Sequence, residues 1–368
     1  MRKIFRLIAA TLIMASSICF AQTQPIELPR LNIDVKETSV SGISSGGFMA
    51  VQLSVAYSSI IKGVGIVAAG PYYCAQRGSY NTAGTLCSCT LGAQTCAVTE
   101  SSAKVPELVS KLAPLFRKGL IDDPANISHQ HILTFAGKQD NLVPPTIVKQ
   151  LASFYRGAGV SAANVSEVLW EAGHTMPTWD FGEECTVTES PYLGKCRYDG
   201  AKEILSWIYG ALKKPAARES QLNSRFFEFN QRPFIPSEGP MAAAWDNGLD
   251  VTGWVYIPKA CADGATCRLH VALHGCEQGQ TYVPLKTPPD GGPFYGTTFV
   301  KNAGYAPWAD ANDVVILYPQ AISIPITINP KGCWDWWGFT ARDHYADQKG
   351  YQMRAIRAMI DRLTSGRH

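Results

Sequence analysis

Apolar and polar positions fall into alternating blocks along the chain. Thr38–Ile43 reads as a short strand running into a glycine-rich turn, and Phe48–Tyr57 after it carries Phe48, Val51 and Val55 at helical spacing. Gly63–Ala69, His131–Ala136 and Val165–Trp170 read as further strands. Between and after them, Val105–Phe116, Pro145–Tyr155 and Gly200–Leu212 read as helices. Lys213–Pro240 breaks the rhythm: it is polar, contains proline and has an aromatic patch at Phe226, Phe227 and Phe229, so it reads as a connector or a short hairpin. Strands resume at Gly253–Ile257, Arg268–Leu273 and Val314–Tyr318, and Tyr351–Leu363 is an amphipathic helix. A βαβα rhythm predicts an α/β fold, a mostly parallel sheet covered by helices on both faces.

With 368 residues, 46% of them hydrophobic and 17% charged, the chain has material for one large core and is neither disordered nor fibrous. The net charge of +3 equals the contribution of Arg2, Lys3 and Arg6, which lie in a leading segment without acidic residues. The remainder is neutral, so no electrostatic drive toward nucleic acid or an anionic membrane is expected. The leading segment, residues 1–21, reads as an export signal: a basic start, the apolar run Leu7–Met14, then small residues with Ala21 before the cleavage point. The apolar run is too short to span a bilayer comfortably. The expected mature protein, residues 22–368, is a single exported catalytic domain, secreted to the medium or the periplasm, free of the membrane and monomeric.

Cysteine usage agrees with export. Without Cys19, ten of the 11 cysteines remain, an even number suited to an oxidising compartment. Cys185–Cys196 and Cys261–Cys267 are natural local pairs, and Cys276–Cys333 follows by elimination. Cys74, Cys87, Cys89 and Cys96 leave three connectivities open. Zinc at Cys87-Ser88-Cys89 is disfavoured, because the spacing is wrong and no histidine is near. Neither a metal nor a cofactor is expected.

The chemistry gathers after the predicted strands. Gly42-Ile43-Ser44-Ser45-Gly46 fits G-x-S-x-G between a strand and a helix, the setting of a nucleophile elbow. Ser44 is the candidate nucleophile. His174 follows strand Val165–Trp170 in a glycine-containing loop and is the candidate base; Asp140 follows strand His131–Ala136 and is the candidate orienting acid. The order Ser44, Asp140, His174 is that of α/β-hydrolases. Leu273-His274-Gly275-Cys276 follows another strand and suits an oxyanion loop, with the Ser45 and Cys276 amides as donors. His274 ranks second as base. An HG loop ordinarily precedes the nucleophile; here it lies in the far half of the chain, which predicts a circular permutation. The original end falls near Ala211 and the original start near Asp250, with 213–240 as the joint.

Together SVSGISSGGFMAVQLSVAYS, AGKQDNLVPP, EAGHTMPT, VALHGCEQ, YAPWADANDVVILYPQA and GCWDWWG resemble the secreted, single-domain, circularly permuted poly(3-hydroxybutyrate) depolymerases over nearly all of the mature chain. The resemblance implies a serine esterase acting on poly(3-hydroxybutyrate) or a related short-chain polyhydroxyalkanoate, with a polyester surface or its oligomers as partner. It places Trp336 along the cleft. Trp334 and Trp337 are further candidates for contact with the polymer, with at least one of the three expected in the core. The chain departs from the family in its extra cysteines between Cys74 and Cys96 and in an insert, Gly279–Gly296. Two rival readings share these motifs: a feruloyl or acetyl carbohydrate esterase, and a non-catalytic secreted protein that adsorbs to polymer.

Overall fold

The computed structural model describes residues 24–216, 221–222, 225–237, 247–324 and 328–366. Residues 1–21 lie outside the described residues, as do 217–220, 223–224 and 238–240 of the connector. Among the described residues no helix is long and apolar enough to cross a membrane.

In chain order the strands are β1 (Ile33–Ile43), β2 (Ile61–Val67), β3 (His131–Gly137), β4 (Val165–Trp170), β5 (Met176–Thr178), β6 (Glu183–Glu184), β7 (Leu193–Lys195), β8 (Phe226–Asn230), β9 (Thr252–Tyr256), β10 (Cys267–Leu273) and β11 (Val314–Tyr318). Eight form one sheet in the order β4-β3-β2-β1-β10-β11-β9-β8. From β4 to β11 every neighbour is parallel; β9 and β8 complete one side antiparallel. Strand ends that carry a following loop therefore collect at one edge, where sites form in such sheets. β11 is buried at all five residues, so both faces are covered there.

The central strand β1 is more polar than a doubly buried strand usually is. Ser39 and Ser41 share one face, and His270 of β10 stands opposite Ser39. Its ring nitrogens lie 2.6 Å from Ser39 Oγ and 2.7 Å from Ser41 Oγ, and Tyr209 and Tyr305 hydroxyls complete the chain of hydrogen bonds. A polar core strand is tolerated because each group is paired. On β2, a Cβ at Gly65 would meet Ile204 at 2.5 Å. Glycine there lets helix Gly200–Tyr209 lie directly on the sheet.

The structure departs from the sequence reading in several places. The single helix Val105–Phe116 is two short ones, Val105–Ser110 and Leu112–Arg117. Pro114 has no N–H to continue the ladder, which breaks the helix near Lys111. The segment 213–240 is not only a connector: Phe226–Asn230 is edge strand β8, paired from Phe226↔Tyr256 to Asn230↔Thr252. The second half of the chain therefore enters the sheet at Phe226, upstream of Asp250. A small sheet, β5-β7-β6, was not legible at all, its strands being two or three residues long.

The molecule has an α/β-hydrolase fold, circularly permuted: β10 and β11 from the far half of the chain sit beside β1. The C-terminal helix Tyr351–Thr364 packs at the start of β1, where the Leu31 N–H donates to Leu363 O at 2.8 Å. Five disulfides are present: Cys74–Cys87, Cys89–Cys96, Cys185–Cys196, Cys261–Cys267 and Cys276–Cys333.

Candidate active site

The turn after β1 is tight. Ser44 has φ 56° and ψ −124°, a backbone conformation that costs a non-glycine residue on the order of 1–3 kcal/mol. Strain of that kind lifts a serine side chain clear of the strand it ends. The turn is locked by Ser44 N–H to Val67 O at 2.9 Å and Phe48 N–H to Ser44 O at 3.0 Å. Glycine is required on both sides: a Cβ at Gly42 would lie 2.3 Å from Gly46 C, and one at Gly46 would lie 2.3 Å from His274 O. The second clash shows how closely helix Ser45–Ala56 abuts the loop after β10. Its first turn has no acidic residue and no side-chain cap, so its N-terminal N–H groups favour negative charge at the elbow.

The loops after β3 and β4 are stitched together. Lys138 N–H reaches Trp170 O at 2.8 Å, Gln139 N–H reaches Ala172 O at 2.9 Å, and Lys138 pairs with Glu171. This brings Asp140 to His174. Asp140 is buried; its Oδ1 accepts from Leu142 N–H at 2.9 Å and Val143 N–H at 2.8 Å, and its Oδ2 lies 2.8 Å from His174 Nδ1. A carboxylate at that distance accepts the Nδ1 proton, which leaves the Nε2 lone pair free. His174 N–H donates to Thr188 Oγ1 at 2.8 Å, and the Gly173 N–H to Cys185 O at 2.9 Å anchors the same loop to the small sheet. Ser44 and His174 line one cleft of about 280 Å³. The structure gives Ser44 Oγ no direct hydrogen bond to His174; such bonds are commonly long until substrate is seated.

The loop after β10 presses on the elbow: a Cβ at Gly275 would meet Ile43 O and Ser44 Cβ, each at 3.3 Å. Gln278 sets this loop. Its Oε1 accepts the Gly275 N–H at 2.6 Å, and its Nε2 donates to Pro191 O at 3.0 Å. With Gly275 N–H occupied, Cys276 N–H is the amide left beside Ser44. Neither it nor Ser45 N–H has a protein acceptor among the described residues.

His274, the second-ranked base, is structural. It is fully buried, its Nδ1 donates to Gly275 O at 2.7 Å, and its Nε2 accepts from Ala321 N–H at 3.1 Å. Burial pulls its pKa down to about 4. Both nitrogens are occupied, so it has none to offer a serine.

The tryptophans divide. Trp334 is 0% exposed, and its indole N–H holds His274 O at 3.0 Å. The expectation that it contacts polymer is therefore corrected: it supports the loop from beneath. Trp336 stacks on Phe48 with ring centres 3.9 Å apart, Trp337 meets it edge-on at 5.8 Å, and both line the cleft. Asp335 holds this turn. Buried and with its pKa raised by that burial, it accepts from Gly338 N–H at 2.7 Å and from Phe339 and Thr340 N–H at 3.0 Å.

Sequence reasoning missed Tyr80, Phe48 as a wall, Gln278, and the group Tyr192, Glu277 and Lys331, all lining the same cleft. Glu277 and Gln278 had a signal, both lying within the quoted VALHGCEQ run, and Phe48 lies in the quoted SVSGISSGGFMAVQLSVAYS run. Tyr80, Tyr192 and Lys331 arrive from separate segments of the chain.

The chain is 37% identical over 345 residues to a poly(3-hydroxybutyrate) depolymerase of Delftia acidovorans, covering 93% of this chain but only 62% of that protein's length. It is 37% identical over 363 residues to a polyhydroxybutyrate depolymerase of Talaromyces funiculosus, covering 94% of this chain and 95% of the relative. The crystal structure of a PHB depolymerase from Penicillium funiculosum matches with a TM-score of 0.75 at 34% identity, covering 93% of this chain and all of that one. A serine-to-alanine PHB depolymerase complexed with an R3HB trimer matches with a TM-score of 0.76 and the same identity and coverage. No protein-family model matches the chain.

Proposed function

The chain belongs to the polyhydroxybutyrate depolymerase family, and from that premise we propose that it is a secreted, monomeric serine esterase cutting ester bonds of poly(3-hydroxybutyrate) or a related short-chain polyhydroxyalkanoate. The observation that carries this reading is the buried 2.8 Å contact between Asp140 and His174, at the edge where the strained Ser44 meets the loop after β10.

In this reading Ser44 Oγ attacks the ester carbonyl while His174 Nε2 takes its proton. Asp140 holds the tautomer and stabilises the imidazolium. The oxyanion is received by the Ser45 and Cys276 amides; one such donor is typically worth about 3–4 kcal/mol of barrier. The C–O bond to the leaving alcohol breaks, His174 protonates that oxygen, and an acyl group remains on Ser44. Water, losing a proton to His174, then releases a 3-hydroxy acid and restores the serine. An uncharged polyester suits the aromatic wall of Phe48, Trp336 and Trp337, since its burial gains roughly 25 cal/mol per Å² of apolar area.

Substrate comparison tests the reading. Wild type is expected to release 3-hydroxybutyrate or its short oligomers from amorphous polymer and to leave feruloylated sugars intact. Turnover of the sugar esters without polymer hydrolysis would contradict it in favour of a carbohydrate esterase.

A further inference from the structure

Among the described residues lining the cleft, a carboxylate and an ammonium occur at one place, Glu277 and Lys331. The rest of the wall is uncharged: Phe48, Trp336 and Trp337, the exposed Tyr80 and the exposed rim residue Ile328. Lys331 Nζ lies 2.9 Å from Glu277 Oε1. The two partners differ in what they leave free. The Glu277 side chain is 18% exposed and already accepts the Tyr192 hydroxyl at 2.6 Å. Burial alone would raise its carboxyl, but the hydrogen bonds from Tyr192 and Lys331 bring it below the ordinary carboxylate range. The Lys331 side chain is 65% exposed, and an ammonium with one carboxylate partner keeps two further N–H donors.

The pair is also held in place. Glu277 N–H donates to Lys331 O at 2.7 Å, and the Cys276–Cys333 disulfide ties the same two segments together. Lys331 is thus an outward-facing cation on a rigid wall, next in space to the residue that follows Cys276. When an uncharged stretch of polymer fills the cleft, Glu277 already balances the ammonium, so no lone charge meets apolar substrate. A polyester chain carries one anionic group for such a cation, the carboxylate at its acid end, and a hydrogen bond to it is stronger than one to a neutral ester carbonyl.

We propose that Lys331 is a specificity-determining residue that receives the terminal carboxylate of a short hydroxyalkanoate chain seated in the cleft. The inference rests on the esterase reading above and narrows it: oligomers with a free acid end are favoured over neutral chains of the same length. Released fragments of the polymer are themselves such acids, so the site is suited to carrying depolymerisation on toward small products.

The test compares the trimer of 3-hydroxybutyrate as free acid and as methyl ester, with wild type, Lys331→Gln and Lys331→Arg. Wild type is expected to show a kcat/KM about fivefold higher for the acid at low salt, a size set by solvent screening of a half-open ion pair. That ratio falls to near unity in Lys331→Gln, recovers in Lys331→Arg, and shrinks for wild type as salt is added. A wild-type ratio at or below one, or a ratio unmoved by Lys331→Gln, overturns the proposal. Cleavage of the neutral methyl ester reports on the esterase reading separately; if wild type cuts neither trimer, that reading falls and takes this proposal with it.

Discussion

Gln278 shows how much a single side chain governs here. Its carboxamide oxygen takes the Gly275 N–H and its amide nitrogen holds the backbone at Pro191 and Tyr192, so one residue joins the loop beside Ser44 to the segment beyond His174. Truncation in Gln278→Ala leaves the Gly275 amide unpaired and the peptide before Cys276 free to turn. We expect kcat on a soluble hydroxybutyrate ester to fall by about tenfold, short of the loss of a whole oxyanion donor. KM is expected to change little, because the aromatic wall is untouched. An unaltered kcat in steady-state assays would contradict this account of the loop. At the same scale, Ser44, Asp140 and His174 could be singled out in the sequence because each lies within four residues of a strand end, and the structure brings Asp140 against His174. The tryptophan assignment was less legible. Trp334 and Trp336 are two residues apart in one turn, yet the first is locked beneath His274 by its indole N–H and the second stacks on Phe48 in the wall, with Asp335 holding the turn between them. Such turns have no periodicity to read.

At the level of elements, period and turn chemistry located each parallel strand, some almost to the residue, though β1 begins at Ile33, five residues before the expected Thr38, and β2 spans Ile61–Val67 where Gly63–Ala69 was expected. Val165–Trp170 and Val314–Tyr318 were read with the observed bounds, since short apolar runs between turn residues have few other solutions. What escaped was set by tertiary context. Strand β8, reading Phe226-Phe227-Glu228-Phe229-Asn230, puts phenylalanine on both faces, lacks the alternation of a one-sided strand and is recruited by pairing with β9. The helices Tyr80–Leu86 and Thr298–Asn302 are too short to show a repeat. The first of these places Tyr80 on the cleft, and its loops are stapled by Cys74–Cys87 and Cys89–Cys96. Spacing alone left that pairing open, because four cysteines within one loop satisfy several connectivities equally well.

For the whole molecule, the circular permutation changes where the chain begins without changing which strand ends meet. The core is built around buried polar groups, and these set a pH response. Burial holds His270 near 3 and His274 near 4, both below the usual 6.5. Below about 6.5 the unfolded chain binds protons at these rings that the folded chain refuses, so their contribution is complete above that pH and is lost as pH falls toward 4 and 3. Between pH 6.5 and 4, wild type should lose on the order of 2 kcal/mol more stability than His270→Gln, read from denaturant unfolding at a series of pH values. Parallel curves for the two proteins would show that the ring is not held neutral by the core.

The central claim is that Ser44 is made nucleophilic by the His174–Asp140 pair, and the most direct measurement is active-site labelling with a fluorophosphonate followed by peptide mass analysis. The account predicts one adduct per chain, on the peptide bearing Ser44, with labelling nearly abolished in His174→Ala. An adduct on another residue, or labelling of Ser44 that proceeds equally well without His174, would contradict it.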